Sequence, residues 1–218
     1  MYNFLSVITK FISPPYCVAC QIRLADYTVL CHECHATIPK VFSQKKMISS
    51  TADYTVHAFT LYQEPFDTLI QAKLYAQQTP FHQLGFLLSQ SPIIQTIACD
   101  IIIPIPLHWQ RKIWRGFNQA EILAESLAKK LQKSTLYALK RTRHTQFQST
   151  LTAQGRKENL RHVFSLSDKN YANQIKNKRI LLVDDLYTTG ATAEAAIREL
   201  YAHGVLSVDL VVVCKVIH

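Results

Sequence analysis

Residues 179–192 read Arg-Ile-Leu-Leu-Val-Asp-Asp-Leu-Tyr-Thr-Thr-Gly-Ala-Thr, an order that few folds accommodate. Residues 180–183 form a short unbroken apolar run, the pattern of a central parallel strand covered on both faces. Asp184 and Asp185 fall where that run ends. Leu186, Tyr187, Thr188, Thr189, Gly190, Ala191 and Thr192 then bring hydroxyls, one glycine and backbone N–H groups ahead of an Ala- and Leu-rich stretch. That stretch predicts a helix, with Gly204 placed to end it. A helix N-terminus lined by small residues binds anions, because its first N–H groups lack partners and its dipole favours negative charge. Two carboxylates beside it suit ribose hydroxyls or a magnesium ion, which prefers oxygen ligands. The stretch therefore predicts a phosphorylated-sugar site at the end of a strand. An ordinary strand-to-helix turn capped by acids would leave the adjacent acids and the Thr/Gly cluster unexplained. A receiver domain also carries paired acids after an apolar strand, but near its start, and only 33 residues follow Asp185.

Residues 182–192 resemble the phosphoribosyl pyrophosphate (PRPP) motif of type I phosphoribosyltransferases. The resemblance implies that Asp184 and Asp185 meet the ribose hydroxyls, together with magnesium, and that residues 188–192 wrap the 5-phosphate. It also implies a parallel α/β sheet flanked by helices.

The chain has 218 residues, 48% of them hydrophobic, enough for one sizeable core with a small appendage. No apolar run reaches the 18 residues of a membrane span. Residues 1–12 place Phe4, Leu5, Ile8, Phe11 and Ile12 at helical spacing, broken by polar residues, which predicts a short amphipathic helix rather than a signal peptide. A cytoplasmic location is expected. The net charge of +9 is unevenly spread: residues 108–161 hold 12 Lys and Arg against 3 Glu, and the rest of the chain holds 12 against 12 acids. A cationic segment next to a phosphate site predicts polyanion binding, to pyrophosphate or to a nucleic-acid backbone.

Cys17, Cys20, Cys31 and Cys34 form two C-x-x-C pairs, the ligand set of a closed structural zinc site. The domain reading is a zinc module over 1–45 and a larger domain over 50–218, with 37–50 as a polar linker. Replacing one of the four cysteines is expected to spare the sugar-phosphate site. Residues 54–62 alternate as a strand, and 66–89 read as helices broken near Pro80. Lys73, a cation without a local acidic neighbour, is a further candidate for binding pyrophosphate or another polyanion, as are Lys112, Arg141 and Arg143. Residues 100–107 read as a second buried strand. A cationic loop with Arg111, Lys112 and Arg115 follows, then a helix over 119–132 started by Asn118 and Glu121. In phosphoribosyltransferases the corresponding loop holds pyrophosphate, which assigns that role to Arg111 and Arg115. Residues 140–164 carry Arg141 and Arg143 and read as a polar segment, able to act as a lid. The last strand is 207–216.

The order of a four-cysteine knuckle, Ile-Pro-Ile-Pro-Leu, Arg-Gly-Phe-Asn-Gln-Ala-Glu, Arg-Thr-Arg-His-Thr-Gln-Phe-Gln and the PRPP motif resembles the ComF family over nearly the whole chain. The resemblance implies a role in natural transformation, with PRPP, single-stranded DNA and competence-machinery proteins as partners. Two functional classes stay open: a magnesium-dependent phosphoribosyltransferase acting on an unassigned acceptor, and a PRPP-binding module that handles single-stranded DNA. Trp109, Trp114, Phe117 and Phe147 lie among the basic residues as candidate base-stacking groups. No residue is assigned as a general base.

Overall fold

Residues 180–183 lie in the middle of a six-stranded sheet, each at most 1% exposed. The computed structural model describes residues 16–25, 29–38, 42–50, 52–142 and 163–217. The N-terminal amphipathic segment and residues 143–162 of the polar segment read as a lid, Arg143 and Phe147 among them, lie outside the described residues.

In chain order the elements are α1 (His32–Thr37), β1 (Phe42–Met47), β2 (Asp53–Leu61), α2 (Phe66–Gln71), a 3-10 turn (Ala72–Tyr75), α3 (Thr79–Gln90) and α4 (Pro92–Gln95). There follow β3 (Ile101–Pro104), α5 (Trp109–Arg115), α6 (Gln119–Leu131), β4 (Ser134–Thr135), β5 (Leu139–Arg141) and β6 (Phe164–Leu166). The last are α7 (Tyr171–Ile175), β7 (Arg179–Tyr187), α8 (Ala191–Ala202) and β8 (Ser207–Lys215). The sheet order is β1-β2-β8-β7-β3-β4, parallel throughout except for the antiparallel β1–β2 edge pair. β5 and β6 pair antiparallel as a separate ribbon.

Each face of the sheet has its own apolar layer. Phe66, Phe81, Leu84 and Leu127 of α2, α3 and α6 cover Val183 and Val211. Ile175, Ile197 and Leu200 of α7 and α8 cover Ile180, Leu182 and Leu210 on the other. Each such fully buried aliphatic side chain contributes roughly 1.5–3 kcal/mol. Asn118 caps α6 as its sequence implies: its Oδ1 accepts from the Ala120 N–H at 3.1 Å and its amide donates to Glu121 at 3.3 Å. Pro80 stands in the first turn of α3, where its missing N–H costs nothing, so the helical stretch breaks before it rather than at it.

Helices α3 and α6 meet at Gly85, where a Cβ would stand 2.5 Å from Ser126 Oγ and 2.7 Å from Ser126 Cβ. Gly85→Val should therefore lower stability by roughly 1–3 kcal/mol through overpacking. Urea unfolding would show a lower midpoint at unchanged slope; an unchanged midpoint would mean that α6 shifts freely.

Three expectations are corrected. Residues 42–47, read as linker, form β1, because residue-by-residue pairing from Phe42↔Ala58 to Met47↔Asp53 gives their polar side chains a sheet edge. The cationic loop is largely a helix, α5. The strand before the acid pair does not stop there: β7 runs through Asp184 and Asp185 to Tyr187, because its pairing with β8 continues to Tyr187↔Lys215.

Two polar ties anchor the sheet. Buried His57 on β2 bridges Ser43 Oγ of β1 at Nδ1 (2.8 Å) and Asp209 Oδ1 of β8 at Nε2 (3.0 Å). A carboxylate only accepts, so Nε2 carries the proton and Nδ1 accepts from the serine hydroxyl. At the start of β7, Arg179 donates three times to Asp100, from its N–H, Nε and Nη2. Those bonds hold the Asp100 carboxyl well below its ordinary range. The tie therefore adds stability above the ordinary carboxylate pKa and loses it on acidification.

Candidate functional site

The site forms at the carboxyl ends of β7 and β3, where open parallel sheets bind ligands. A small pocket there is lined by Asp184, Tyr187, Thr188, Gly190 and Thr192. Gly190 is the N-cap of α8 at φ 84° and brings no side chain of its own; the N–H of Ala191, the first helical residue, donates to Thr189 Oγ1 at 3.4 Å. A Cβ on Gly190 would lie 2.3 Å from the Tyr187 hydroxyl. That hydroxyl is fixed from below by Tyr54, whose own hydroxyl is 3.1 Å away. Burial, then the bond to Tyr187, pushes the Tyr54 phenol far up, so Tyr54 stays neutral. The Tyr54–Tyr187 support was not foreseen from sequence; nothing local links residues 133 positions apart.

Asp184 accepts the Asp185 N–H at Oδ1, 2.8 Å. Burial raises the Asp184 carboxyl well above its usual range, and the charge of Asp185 adds to the rise. Asp185 is buried and takes Lys73 Nζ at Oδ2, 2.5 Å. Lys73 comes from the 3-10 turn, so a residue 112 positions away in sequence supplies the counter-charge.

The candidate cations are only partly brought together. Arg115 is drawn toward Asp185, and its buried Nε has no hydrogen-bond partner among the described residues. Burial lowers its pKa first, with Arg111 adding to the fall. Arg141, on β5, is also within the field of the acid pair: burial and then Arg111 lower its pKa, while Asp184 opposes. Lys112 is engaged elsewhere, with both oxygens of Glu121 at 2.9 and 3.1 Å. Of the aromatics, Trp109 and Trp114 are 60% and 66% exposed, whereas Phe117 is core, packed on Phe81 at 5.8 Å between ring centres.

The four cysteines also converge. Their Sγ atoms lie within 4.8 Å of one another, a set that can hold a metal ion. Burial opposes the Cys17 thiolate, but N–H groups of Cys20, Cys31 and Ala19 outweigh it and bring the thiol to about 6. Cys34 is pushed up, chiefly by its hydrogen bonds with Cys31 and then Cys20. His35 stacks on Phe59 at 6.4 Å. Cys17, Val29 and Leu30 belong to the same apolar layer as α2 and α3.

Residues 117–218 match the model of the phosphoribosyl transferase domain. "Competence protein F" of Haemophilus influenzae is 31% identical over 185 residues, 82% of this chain and 75% of that protein. "DNA utilization protein YhgH" of Escherichia coli K12 is 35% identical over 118 residues, 53% of this chain and 49% of YhgH. "Competence protein ComFC" of Bacillus subtilis is 35% identical over 107 residues, 48% of this chain and 39% of that protein. The chain thus spans about half or less of the last two. Among solved structures, glutamine PRPP amidotransferase from B. subtilis aligns with a TM-score of 0.42 at 17% identity, over 61% of this chain and 25% of that one. Sheet order, a helix N-terminus facing an acid pair and the domain match define a phosphoribosyltransferase-fold protein. The chain belongs to the ComF family, as a competence-type protein on that fold. No helix among the described residues is long and apolar enough to cross a membrane.

Proposed function

We propose that this protein binds PRPP and serves DNA handling during competence in the cytoplasm, with zinc on Cys17, Cys20, Cys31 and Cys34. Asp184 and Asp185 receive the ribose hydroxyls, the α8 N-terminus with Thr188, Thr189 and Thr192 receives the 5-phosphate, and Arg111 and Arg115 receive the pyrophosphate. Magnesium would accompany PRPP as the counter-ion of its pyrophosphate oxygens. The observation that carries this reading is Arg115: a buried Nε with no hydrogen-bond partner among the described residues, beside an acid pair, suits an anion with several phosphate oxygens. Calorimetry should show PRPP binding that Asp184→Asn with Asp185→Asn removes, since amides keep the size but lose the anionic acceptors. Equal affinity in the double variant would sink the assignment.

Single-stranded DNA is the proposed second ligand, favoured by the exposed Trp109 and Trp114 on the helix that carries Arg111 and Arg115. Affinity should fall with salt at a log–log slope of roughly −0.7 per phosphate contacted. Removing both indoles should weaken binding while leaving that slope, which a purely electrostatic mode would not do.

A further inference from the structure

A pair of adjacent acids is the oxygen donor set a divalent cation takes, and the sequence assigns magnesium to Asp184 and Asp185. The structure disagrees. Asp185 Oδ2 already holds Lys73 Nζ, and Asp184 Oδ1 accepts a backbone N–H. The Lys73 and Asp185 side chains are 16% and 5% exposed, so the pair is largely removed from water. Lys73, Arg115 and Arg141 act on the two acids, and Arg111 lies close enough to Arg115 and Arg141 to repel both. Three cations thus act on two carboxylates, with a fourth beside two of the three, a positive excess that opposes entry of a divalent ion. Lys73 is held in place by its backbone: the 3-10 turn closes through Ala76 at φ 55° and packs against α5.

We propose that Lys73 is a built-in monovalent cation that takes the place of a divalent metal at this acid pair. It fills the cation position beside Asp185 Oδ2 and keeps that carboxylate aimed, so that it receives a ligand hydroxyl without a metal bridge. In its PRPP arm the proposal rests on the reading given above; in its metal arm it does not. The consequence for specificity is that the acid pair accepts a sugar diol, whereas metal enters only on the phosphates of the ligand.

The metal arm titrates zinc-loaded protein with Mn²⁺ alone and follows free Mn²⁺ by electron paramagnetic resonance. Wild type should show no saturable site that Asp185→Asn abolishes. Lys73→Met should gain one, at least about tenfold tighter than any in wild type, because removal of one charge leaves the buried carboxylate seeking another cation. Asp185→Asn added to Lys73→Met should abolish it, and Lys73→Arg, which keeps the charge, should not create it. A wild-type Mn²⁺ site sensitive to Asp185→Asn would overturn the proposal, as would a folded Lys73→Met that gains none. If Lys73→Met does not fold, Lys73→Gln, which keeps a polar donor of intermediate length, takes its place with the same outcomes.

The ligand arm measures PRPP affinity with and without Mg²⁺. Lys73→Met should lose about thirtyfold without Mg²⁺ and regain most of it with Mg²⁺, a larger dependence on Mg²⁺ than wild type shows. An equal loss under both conditions would make Lys73 an ordinary phosphate contact and overturn the proposal. Failure of wild type to bind PRPP under either condition would defeat the PRPP reading, and the Mn²⁺ titration would still decide the role of Lys73.

Discussion

Protein purified without chelator should carry one zinc ion per chain, and Cys31→Ser should destabilise the whole protein rather than a separate N-terminal module. Four thiolates on one ion contribute on the order of 10 kcal/mol of binding free energy, comparable to the whole stability of an ordinary domain. That free energy reaches the sheet because Cys17, Val29 and Leu30 share one apolar layer with α2 and α3, and His35 lies on Phe59. The sequence separation of the two parts suggested instead that the sugar-phosphate site would survive loss of the metal. Protons enter the balance as well. Cys20 and Cys34 have raised pKa values, so metal binding must expel their protons. Affinity should therefore rise with pH, and zinc should leave on acidification, most steeply once the Cys17 thiol, near 6, also protonates. Elemental analysis paired with thermal unfolding across pH checks both points. Zinc-free protein with an unchanged melting temperature would refute the coupling.

Gly190→Ala should abolish anion binding at the α8 N-terminus and cost stability as well. Two effects act in the same direction. The residue sits at φ 84°, where an L side chain costs about 1–2 kcal/mol. The new Cβ would also lie 2.3 Å from the Tyr187 hydroxyl and 2.7 Å from its Cζ. Tyr187 cannot yield, because it is buried and its hydroxyl meets that of Tyr54. The loop must move instead, carrying the Thr188 and Thr189 hydroxyls with it. Together the strain and overpacking should cost roughly 2–4 kcal/mol, with PRPP affinity falling about 100-fold or more. Adding Tyr187→Phe removes only the closest contact and should restore little. A Gly190→Ala variant that binds PRPP like wild type would show that the loop conformation is not what holds the phosphate.

What the sequence disclosed followed periodicity and short-range chemistry. The buried runs of β7 and β8, the Asn118 cap and the start of α8 are local, and their residues state them. The acid pair, the glycine at the turn and the two C-x-x-C pairs are contiguous motifs. Tertiary pairing stayed hidden. β1 carries Lys45 and Lys46 and shows no apolar alternation, so only its partner β2 makes it a strand. β7 runs past its apolar segment because β8 offers it further backbone partners. Lys73 stood out as a cation without a local acid, but its partner lies 112 residues away. Lys112 and Phe117 looked like members of the cationic, aromatic site. Glu121 and Phe81, on facing helices, engage them elsewhere.

The sheet order also governs how copies of this chain can meet. One edge strand, β1, turns a largely exposed row containing Lys45 and Lys46 toward the solvent, and the other, β4, is two residues long. Charge on the first and brevity on the second deny a neighbour the run of unpaired backbone that strand-to-strand addition needs. Continuous cross-molecule sheets are thereby disfavoured, an advantage for a protein whose central strands 180–183 and 210–213 are almost wholly aliphatic. Among the described residues, helical and loop surfaces are the better placed for any specific association between copies.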